Sequence, residues 1–215
     1  MARAKVTFGK TFVKYIEKGI KLKSYQKLGV AFLIVVLAGF TGWVLELVVG
    51  LIDKGRFYMV GGNILPWMNI YAIGALLIIP ITYKFRRYPW LVFVLAVAVS
   101  FVVELMAGWL VYTVGNGTRY WNYNDKPWNF GNVGGFVCLG SATVFATLAM
   151  FFMYVVLPFC INLSLKMNKK AFMTLATVLF VLVMVDEVTN LVLKNSDFPT
   201  AMDFYQSLGL EYYWE

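Results

Sequence analysis

Long apolar runs separated by short charged segments dominate the chain. By length and hydropathy these runs predict five membrane spans, each near the roughly 20 residues that cross hydrocarbon. The predicted spans cover residues 28–52, 67–83, 89–114, 135–165 and 171–193. The fourth is long and contains Pro158, which we expect to kink it or to end it early. The pattern therefore predicts an all-α, polytopic membrane bundle over residues 28–194.

A different pattern precedes the first span. Within residues 5–27, apolar side chains recur at every fourth position on one face, at Phe8, Phe12, Ile16 and Ile20. Lysines lie opposite them, at positions 10, 14, 18 and 21. This pattern predicts that residues 1–27 form a basic amphipathic helix at the cytoplasmic interface, in contact with anionic inner-leaflet lipids. A flexible basic tail that only sets the topology is the alternative.

The distribution of charge predicts the orientation. The net charge is +8, and residues 1–27 hold eight of the 19 basic residues. With a cytoplasmic N-terminus, 14 of the 19 fall in inner segments, and residues 195–215 become an acidic, aromatic outer tail. This is the positive-inside pattern of a multi-pass protein of the inner (cytoplasmic) membrane with its C-terminus outside. The basic surplus therefore does not indicate nucleic-acid binding.

Composition restricts the chemistry further. Hydrophobic residues make up 60% of the chain and charged residues 14%, which is typical of membrane proteins. The chain has no histidine, and Cys138 and Cys160 lack the spacing of metal ligands. We therefore expect no metal or cofactor and assign no catalytic residue. The sequence also lacks a G-x-x-x-x-G-K-[ST] phosphate-binding loop, so ATP hydrolysis would require an ATPase partner.

Four acidic residues interrupt the apolar spans, at positions 46, 104, 186 and 187. Each would cost about 2 to 3.5 kcal/mol at the centre of a bilayer, so we expect such acids to face a cavity or a partner. Glu46 and Glu104 each begin an E-L-x-x-G segment, which an outer loop with glycine, arginine and an aromatic residue follows. These two segments suggest a parallel internal repeat.

The acids suggest a binding site. The predicted topology places Glu46, Glu104 and Glu187 in the outer half of the membrane, with Arg56 and Arg119 just above them. We therefore predict an outward-facing cavity lined by carboxylates and arginines. Structural ion pairs that tie helices together are the alternative.

The loop after the third predicted span alternates rings and amides, as in Trp121, Asn122, Tyr123 and Asn129. Such groups could bind a sugar, a lipid headgroup or another polar ligand. The alternative is the aromatic belt that membrane proteins place at each interface.

Short motifs occur in a fixed order along the chain. Gly42-Trp43-Val44-Leu45-Glu46 has the form G-W-x-x-E. The form G-P-x-x-P-I-Y-G-x-G is matched at Pro66, Ile70, Tyr71 and Gly74, with departures at Asn69 and Ala72. Further along, E-x-x-x-G is matched at Glu104 and Gly108.

The loop continues the series. W-W-D-Y-S corresponds to Tyr120-Trp121-Asn122-Tyr123-Asn124, P-F-N to Pro127-Trp128-Asn129, and G-R-I-C-L to Gly135-Phe136-Val137-Cys138-Leu139. Over residues 40–160 the chain resembles the bacterial family of ABC-transporter type IV, or CmpB-like, membrane proteins. The resemblance implies transport and adds Tyr71 to the binding residues. Departures at Asn69, Asn122 and Phe136 leave the ligand open.

Three functions fit these features. The first is a transporter or permease-like protein that binds a small polar or anionic solute, with or without an ATPase partner or a second copy of the chain. The second is a membrane-embedded enzyme that acts on a lipid headgroup, with carboxylates as acid and base. The third is a non-catalytic accessory subunit whose acids pack helices. Without histidine, the residues favour the first over an enzyme.

Overall fold

A computed structural model of the chain describes residues 8–55, 59–193 and 200–211. Within these ranges the protein is helical and has no β-strand, which confirms the predicted all-α fold. The helices are α1 (Phe8–Glu17), α2 (Ser24–Lys54), α3 (Asn69–Tyr83), α4 (Pro89–Val114), α5 (Leu139–Phe151), α6 (Leu157–Lys166), α7 (Lys169–Leu193) and α8 (Ala201–Ser207). A π-helical turn, Phe152–Val156, joins α5 to α6.

Among the residues that the structure describes, four helices are long and apolar enough to cross a membrane, as a membrane protein requires. They cover Ser24–Ile52, Pro89–Val114, Leu139–Lys166 and Lys169–Val192. The remaining predicted span corresponds to α3, which has 15 residues and contains Pro80. Because about 20 residues are needed to cross hydrocarbon, α3 is short, and the prediction of five spans is not confirmed.

The N-terminal helix is shorter than the sequence pattern suggested. It ends at Glu17, and the chain then turns at Gly19, whose φ of +73° suits glycine. Its buried residues are Thr11 and Tyr15, so this helix packs against the protein. Its placement at a membrane interface stays a prediction.

Pro158 lies just after the π-helical turn, which accommodates it. The N–H of Leu157 bonds to the carbonyl of Phe152 instead of that of Met153. In π geometry the carbonyl of Met153 would pair with residue 158, but proline has no N–H. The helix therefore continues past the proline and leaves the Met153 carbonyl to an outside donor.

The chain forms two compact units. The first contains the described residues of 21–73, 159–193 and 200–211. In it α2 packs against α7, with the rings of Phe32 and Phe180 stacked at 4.2 Å. A core of Val35, Trp67, Ala72 and Val183 lies beside them.

The second unit contains residues 9–20 and 74–158. Here α4 packs against α5, and small residues dominate the contact, including Ala96, Ala146 and Ala149. Small side chains let helices approach closely, which is how helices associate in membranes. The buried face of α4 also carries Ser100 and Glu104, so a polar strip lies within this packed face.

Candidate functional site

In the first unit, the segment between α2 and α3 packs onto glycines of α2. A Cβ added at Gly39 would lie 2.1 Å from Nε1 of Trp67, so only glycine admits this indole. The Nε1–H of Trp67 donates to the carbonyl of Val35 at 3.1 Å. Gly39 therefore makes room for the segment that leads to Tyr71, the partner of Glu46.

Gly42 does the same for Tyr71, the third residue of α3. A Cβ at Gly42 would lie 2.1 Å from the Tyr71 ring. Because Gly42 is one helical turn before Glu46, the ring passes beside the helix and its hydroxyl donates to Glu46 Oε1. This contact gives a physical reason for the G-W-x-x-E spacing: glycine admits the tyrosine and glutamate accepts its hydrogen bond.

Glu187 of α7 is held by two amides. Its Oε2 accepts a hydrogen bond from Asn63 Nδ2 at 2.8 Å, and its Oε1 accepts one from Asn69 Nδ2 at 2.7 Å. Asn69 is one of the positions that depart from the family motif. In this chain it replaces a proline with an amide that binds a carboxylate.

The neighbouring Asp186 binds backbone instead of side chains. Its carboxylate accepts hydrogen bonds from the N–H groups of Leu65 at 2.8 Å and of Ile64 at 3.3 Å. The side chain of Asn190, one turn later, donates to it at 2.9 Å. Asp186 and Glu187 together therefore anchor the segment of residues 59–69 to α7.

The C-terminal helix α8 closes over this segment. The hydroxyl of Tyr205 donates to the carbonyl of Ile64 at 2.5 Å. Burial raises the pKa of Tyr205 above its usual range, and the negative charge of Asp186 raises it further. The phenol therefore stays protonated and keeps its donor.

In the second unit, Glu104 is a buried carboxylate with hydroxyl partners. Its side chain is 5% exposed. The hydroxyl of Tyr123 donates to Oε1 at 2.5 Å, and that of Ser141 donates to Oε2 at 2.8 Å. Ser141 is the third residue of α5, so Glu104 lies near the N-terminal end of a helix, where the backbone dipole favours negative charge.

Gly108, one turn after Glu104, admits the aromatic loop. A Cβ there would lie 3.2 Å from Phe136 and 3.3 Å from the Trp121 ring. The indole N–H of Trp121 donates to the carbonyl of Phe136 at 2.7 Å. Gly108 therefore has the same function as Gly42, because each glycine lies one turn from a glutamate on the same helix and leaves space for an aromatic ring.

Arg119 binds within this loop. Its Nη1 donates to the carbonyl of Gly134 at 2.7 Å. The guanidinium carbon lies 4.4 Å from the centroid of the Phe136 ring and 4.9 Å from that of Tyr112. Cation–π contacts of this kind keep the charge close to the loop surface.

Asparagines connect the rest of the loop. Asn129 Nδ2 donates to the carbonyl of Asn124 at 2.7 Å, and Asn132 Nδ2 donates to Asn124 Oδ1 at 2.9 Å. A Cβ at Gly135, where φ is +79°, would meet Asn122 Oδ1 at 2.5 Å and Arg119 Nη1 at 2.6 Å. The side chains of Asn122 and Arg119 therefore approach the backbone of Gly135 so closely that a larger residue at this position would collide with them.

Two buried polar atoms lack a hydrogen-bond partner among the residues that the structure describes: Trp43 Nε1 and Ser100 Oγ. Trp43 is three positions before Glu46, and Ser100 is four positions before Glu104. Residues three or four apart share a helix face, so each atom lies about one turn from a carboxylate. A buried polar atom of this kind is normally satisfied by a water or a ligand.

The structure joins some of the predicted site residues and not others. Glu46 pairs with Tyr71, and Glu104 pairs with Tyr123. The predicted loop residues of the second unit all make hydrogen bonds within that unit; they are Arg119, Trp121, Asn122, Tyr123 and Asn129. Arg56 lies outside the described residues. A single cavity lined by Glu46, Glu104 and Glu187 stays a prediction.

Sequence reasoning missed Ser141, Asn63 and Asn69. Ser141 is a polar residue at the start of an apolar helix, and the two asparagines interrupt an apolar stretch. A polar residue within an apolar run was the signal in the sequence, but the glutamate that each of these residues binds is 37 to 124 positions away along the chain. Among the described residues, no group of three or more histidine, cysteine or acidic side chains is placed to hold a metal ion.

Comparison with known proteins identifies a family. The family model described as Putative ABC-transporter type IV matches residues 32–191, most of the chain. No curated protein matches the chain, and no solved structure does. The matched range includes Glu46, Glu104 and Glu187.

Proposed function

The chain belongs to the Putative ABC-transporter type IV family, and from this membership we propose that it is a membrane transport protein for a small polar or anionic solute. The four apolar helices suit this role. Because the given sequence contains no phosphate-binding loop, we assign any ATP hydrolysis to a partner protein.

One observation supports ligand handling over simple packing. In each unit a span carboxylate accepts a hydrogen bond from a tyrosine, and a buried polar atom about one turn away has no partner among the described residues. An acid that served only to tie helices would be expected to lie among satisfied groups, because unsatisfied buried polar atoms are costly. Buried polar atoms without a partner among the described residues suit a site in which solute replaces bound water.

We assign the roles as follows. Glu46 and Glu104 exchange protons or cations, and Tyr71 and Tyr123 orient them. In the second unit, the guanidinium of Arg119 receives the anionic group of the solute. The amides of Asn122 and Asn129, with the Trp121 ring, supply the polar and aromatic contacts.

The test is electrical. The purified full chain is reconstituted in liposomes, adsorbed on a solid-supported membrane, and exposed to steps of small carboxylic acids, amino acids and inorganic phosphate. At least one class should produce a pH-dependent current. Glu104→Gln should remove that current, because glutamine keeps the shape of the side chain and cannot exchange a proton.

A matched control is Glu17→Gln, since Glu17 is an exposed acid on α1. It should leave the current unchanged. If no compound produced a current in the wild type, the transport assignment would be abandoned.

A second candidate, an accessory subunit, is favoured by one observation. Asp186 and Glu187 bind the backbone and amides of residues 63–69, which is an anchoring role. In that case Glu104→Gln would lower the melting temperature of the protein, and wild-type liposomes would show no solute current.

A further inference from the structure

Tyr15 attaches α1 to the rest of the second unit. Its side chain is 0% exposed, and its hydroxyl donates to the carbonyl of Met153 at 2.9 Å. That carbonyl belongs to the π-helical turn. It has no helical partner, because the N–H of Leu157 bonds to the carbonyl of Phe152 and Pro158 has no N–H. Burial raises the pKa of Tyr15, so the phenol stays protonated as a donor.

Arg86 holds the backbone of the same helix. Its Nε donates to the carbonyl of Tyr15 at 2.7 Å, and its Nη1 donates to the carbonyl of Tyr83 at 3.2 Å. The hydroxyl of Tyr154 binds the Arg86 carbonyl at 2.9 Å. A Cβ at Gly19 would lie 2.9 Å from Arg86 Nη2, so the chain turns closely around this guanidinium. Arg86 is therefore used to dock α1.

This docking decides which face of α1 remains available. Thr11 and Tyr15 are buried, and a lysine face beside them is exposed; it consists of Lys10 and Lys14 on the helix and Lys18 just after it. Val13, between them, is 52% exposed. An amphipathic helix that lies on a bilayer alone buries its apolar face in lipid. Here the protein takes the inner face, so the lysine face is the one presented.

The turn that contains Arg86 adds cations and rings. Lys84 and Arg87 are exposed, as are Tyr88 at 56% and Trp90 at 67%. Exposed tyrosine and tryptophan beside basic residues are typical of the membrane–water interface. The only acid in this set is the exposed Glu17 at the end of α1.

The position of the turn indicates the partner. Arg86 is three residues before Pro89, where the apolar helix α4 begins. The end of a membrane-spanning helix lies at the level of the lipid headgroups. Because α1 is bonded to Arg86, it lies at that level too. A bilayer surface is therefore favoured over an acidic protein partner, which would not require exposed rings at a helix end.

We propose that α1 and residues 84–90 form one basic–aromatic surface that binds anionic phospholipid headgroups of the bilayer in which the protein sits. Lys10, Lys14, Lys18, Lys84 and Arg87 supply the charge, and Tyr88 and Trp90 supply the interfacial rings. Tyr15 and Arg86 position the lysine face without contacting lipid. The proposal does not depend on any transport activity.

The experiment uses one label. Cys138 and Cys160 are both 0% exposed, so a fluorophore attaches selectively at position 13 in Val13→Cys. The labelled full chain is reconstituted in phosphatidylcholine vesicles that contain a headgroup-quencher lipid, either anionic phosphatidylglycerol or neutral phosphatidylcholine. We expect the anionic quencher to be at least about threefold more effective at equal mole fraction, with the preference decreasing at high salt.

Charge variants locate the effect. Replacing Lys10, Lys14 and Lys18 together by glutamine should make the two quenchers equally effective. The matched control replaces Lys166, Lys169 and Lys170, three exposed lysines of the first unit, and should retain the preference. Tyr15→Ala, which releases the helix, should reduce the preference, and Tyr15→Phe should reduce it less because the ring remains.

Three outcomes would overturn the proposal. Equal quenching by both lipids in the wild type would show that the surface does not select anionic headgroups. Quenching by soluble iodide and by neither lipid would show that the lysine face points away from the bilayer, towards a site for an acidic protein. Loss of preference in the control variant alone would place lipid selection in the first unit.

Discussion

Glu46 and Glu104 occupy the same place in two similar motifs, but their surroundings differ. Glu46 is half-buried and pairs with a tyrosine on a helix, Tyr71. Glu104 is 5% exposed and pairs with a loop tyrosine, Tyr123, and with Ser141 at a helix start. The first unit adds Asp186 and Glu187 to hold its connecting segment. The second unit holds its loop mainly with amides and Arg119.

These different contacts indicate two different roles for the acids that lie within the apolar helices. In the first unit, Asp186 accepts hydrogen bonds from backbone N–H groups of a short segment and Glu187 accepts them from two asparagine side chains of that segment, which suits a structural role. In the second unit, Glu104 is deeper and its partners are hydroxyls, which can both donate and accept. Glu104 is therefore the more deeply buried candidate for proton or solute chemistry, and Asp186 and Glu187 are the acids that suit anchoring.

The largest difference between the units should come from their glycines. Gly42→Ala places a Cβ 2.1 Å from the Tyr71 ring, and Gly108→Ala places one 3.2 Å from Phe136. Overpacking at Gly42 should cost about 3 kcal/mol, whereas the cost at Gly108 should be offset by the roughly 0.5 to 1 kcal/mol that alanine gains in a helix. Unfolding in mixed micelles measures both. Equal losses in the free energy of unfolding of the two variants would contradict the predicted difference between Gly42 and Gly108.

The second largest difference should come from the hydrogen bonds that Tyr71 donates to Glu46 and Tyr123 donates to Glu104. Tyr123→Phe removes a donor from a buried carboxylate and should cost about 2 kcal/mol in the free energy of unfolding. Tyr71→Phe should cost less, about 1 kcal/mol, because Glu46 is less buried than Glu104. A double-mutant cycle of Tyr123→Phe with Glu104→Gln isolates the pair, and a coupling energy near zero would contradict the contact.

Asp186 offers a third contrast. Asp186→Asn keeps one acceptor oxygen and loses the charge, so the segment of residues 59–69 should loosen by about 1 kcal/mol. Faster hydrogen exchange of the Ile64 and Leu65 amides would report it. The loop of residues 119–138 serves as the internal reference, because it should exchange as in the wild type.

The smallest effect should be at α8, which only the first unit has. Thr200 caps this helix, and its backbone and hydroxyl donate to Asp203 at 2.7 Å, which lowers the pKa of that carboxyl. A lowered folded pKa gives stability above the unfolded value of about 3.9, and the stability is lost as the pH falls through the folded pKa. The protection of the α8 amides against hydrogen exchange, measured relative to their intrinsic rates at each pH, should therefore fall in acid, and Thr200→Ala should weaken this dependence.

Hydropathy predicted the helical membrane fold because burial in lipid requires long apolar helices with internal backbone bonds. The same reasoning singled out Glu46, Glu104, Asp186 and Glu187, since charges in apolar runs are costly. Their partners could not be predicted. Asn63 lies 124 positions before Glu187, and no local rule relates an amide in one segment to a carboxylate that far along the chain.

Hydropathy also overestimated α3 and did not anticipate the π-helical turn. The run of residues 67–83 is mostly apolar, but its helix begins only at Asn69, and Trp67 lies before it with its indole bonded to the carbonyl of Val35. At Pro158 the sequence predicted a kink or an end. The backbone instead changed its hydrogen-bond period over five residues, which the identity of a proline does not specify.

The bond between Tyr15 and Met153 joins residues 138 positions apart, and this separation has a consequence for biogenesis. At about 5 to 20 residues per second, a ribosome takes roughly 7 to 30 seconds to add the residues between them. During that time α1 has been synthesised while its acceptor does not yet exist. An early part of the chain must therefore wait for a late membrane segment, so closure of this contact would report that insertion of the segment is complete.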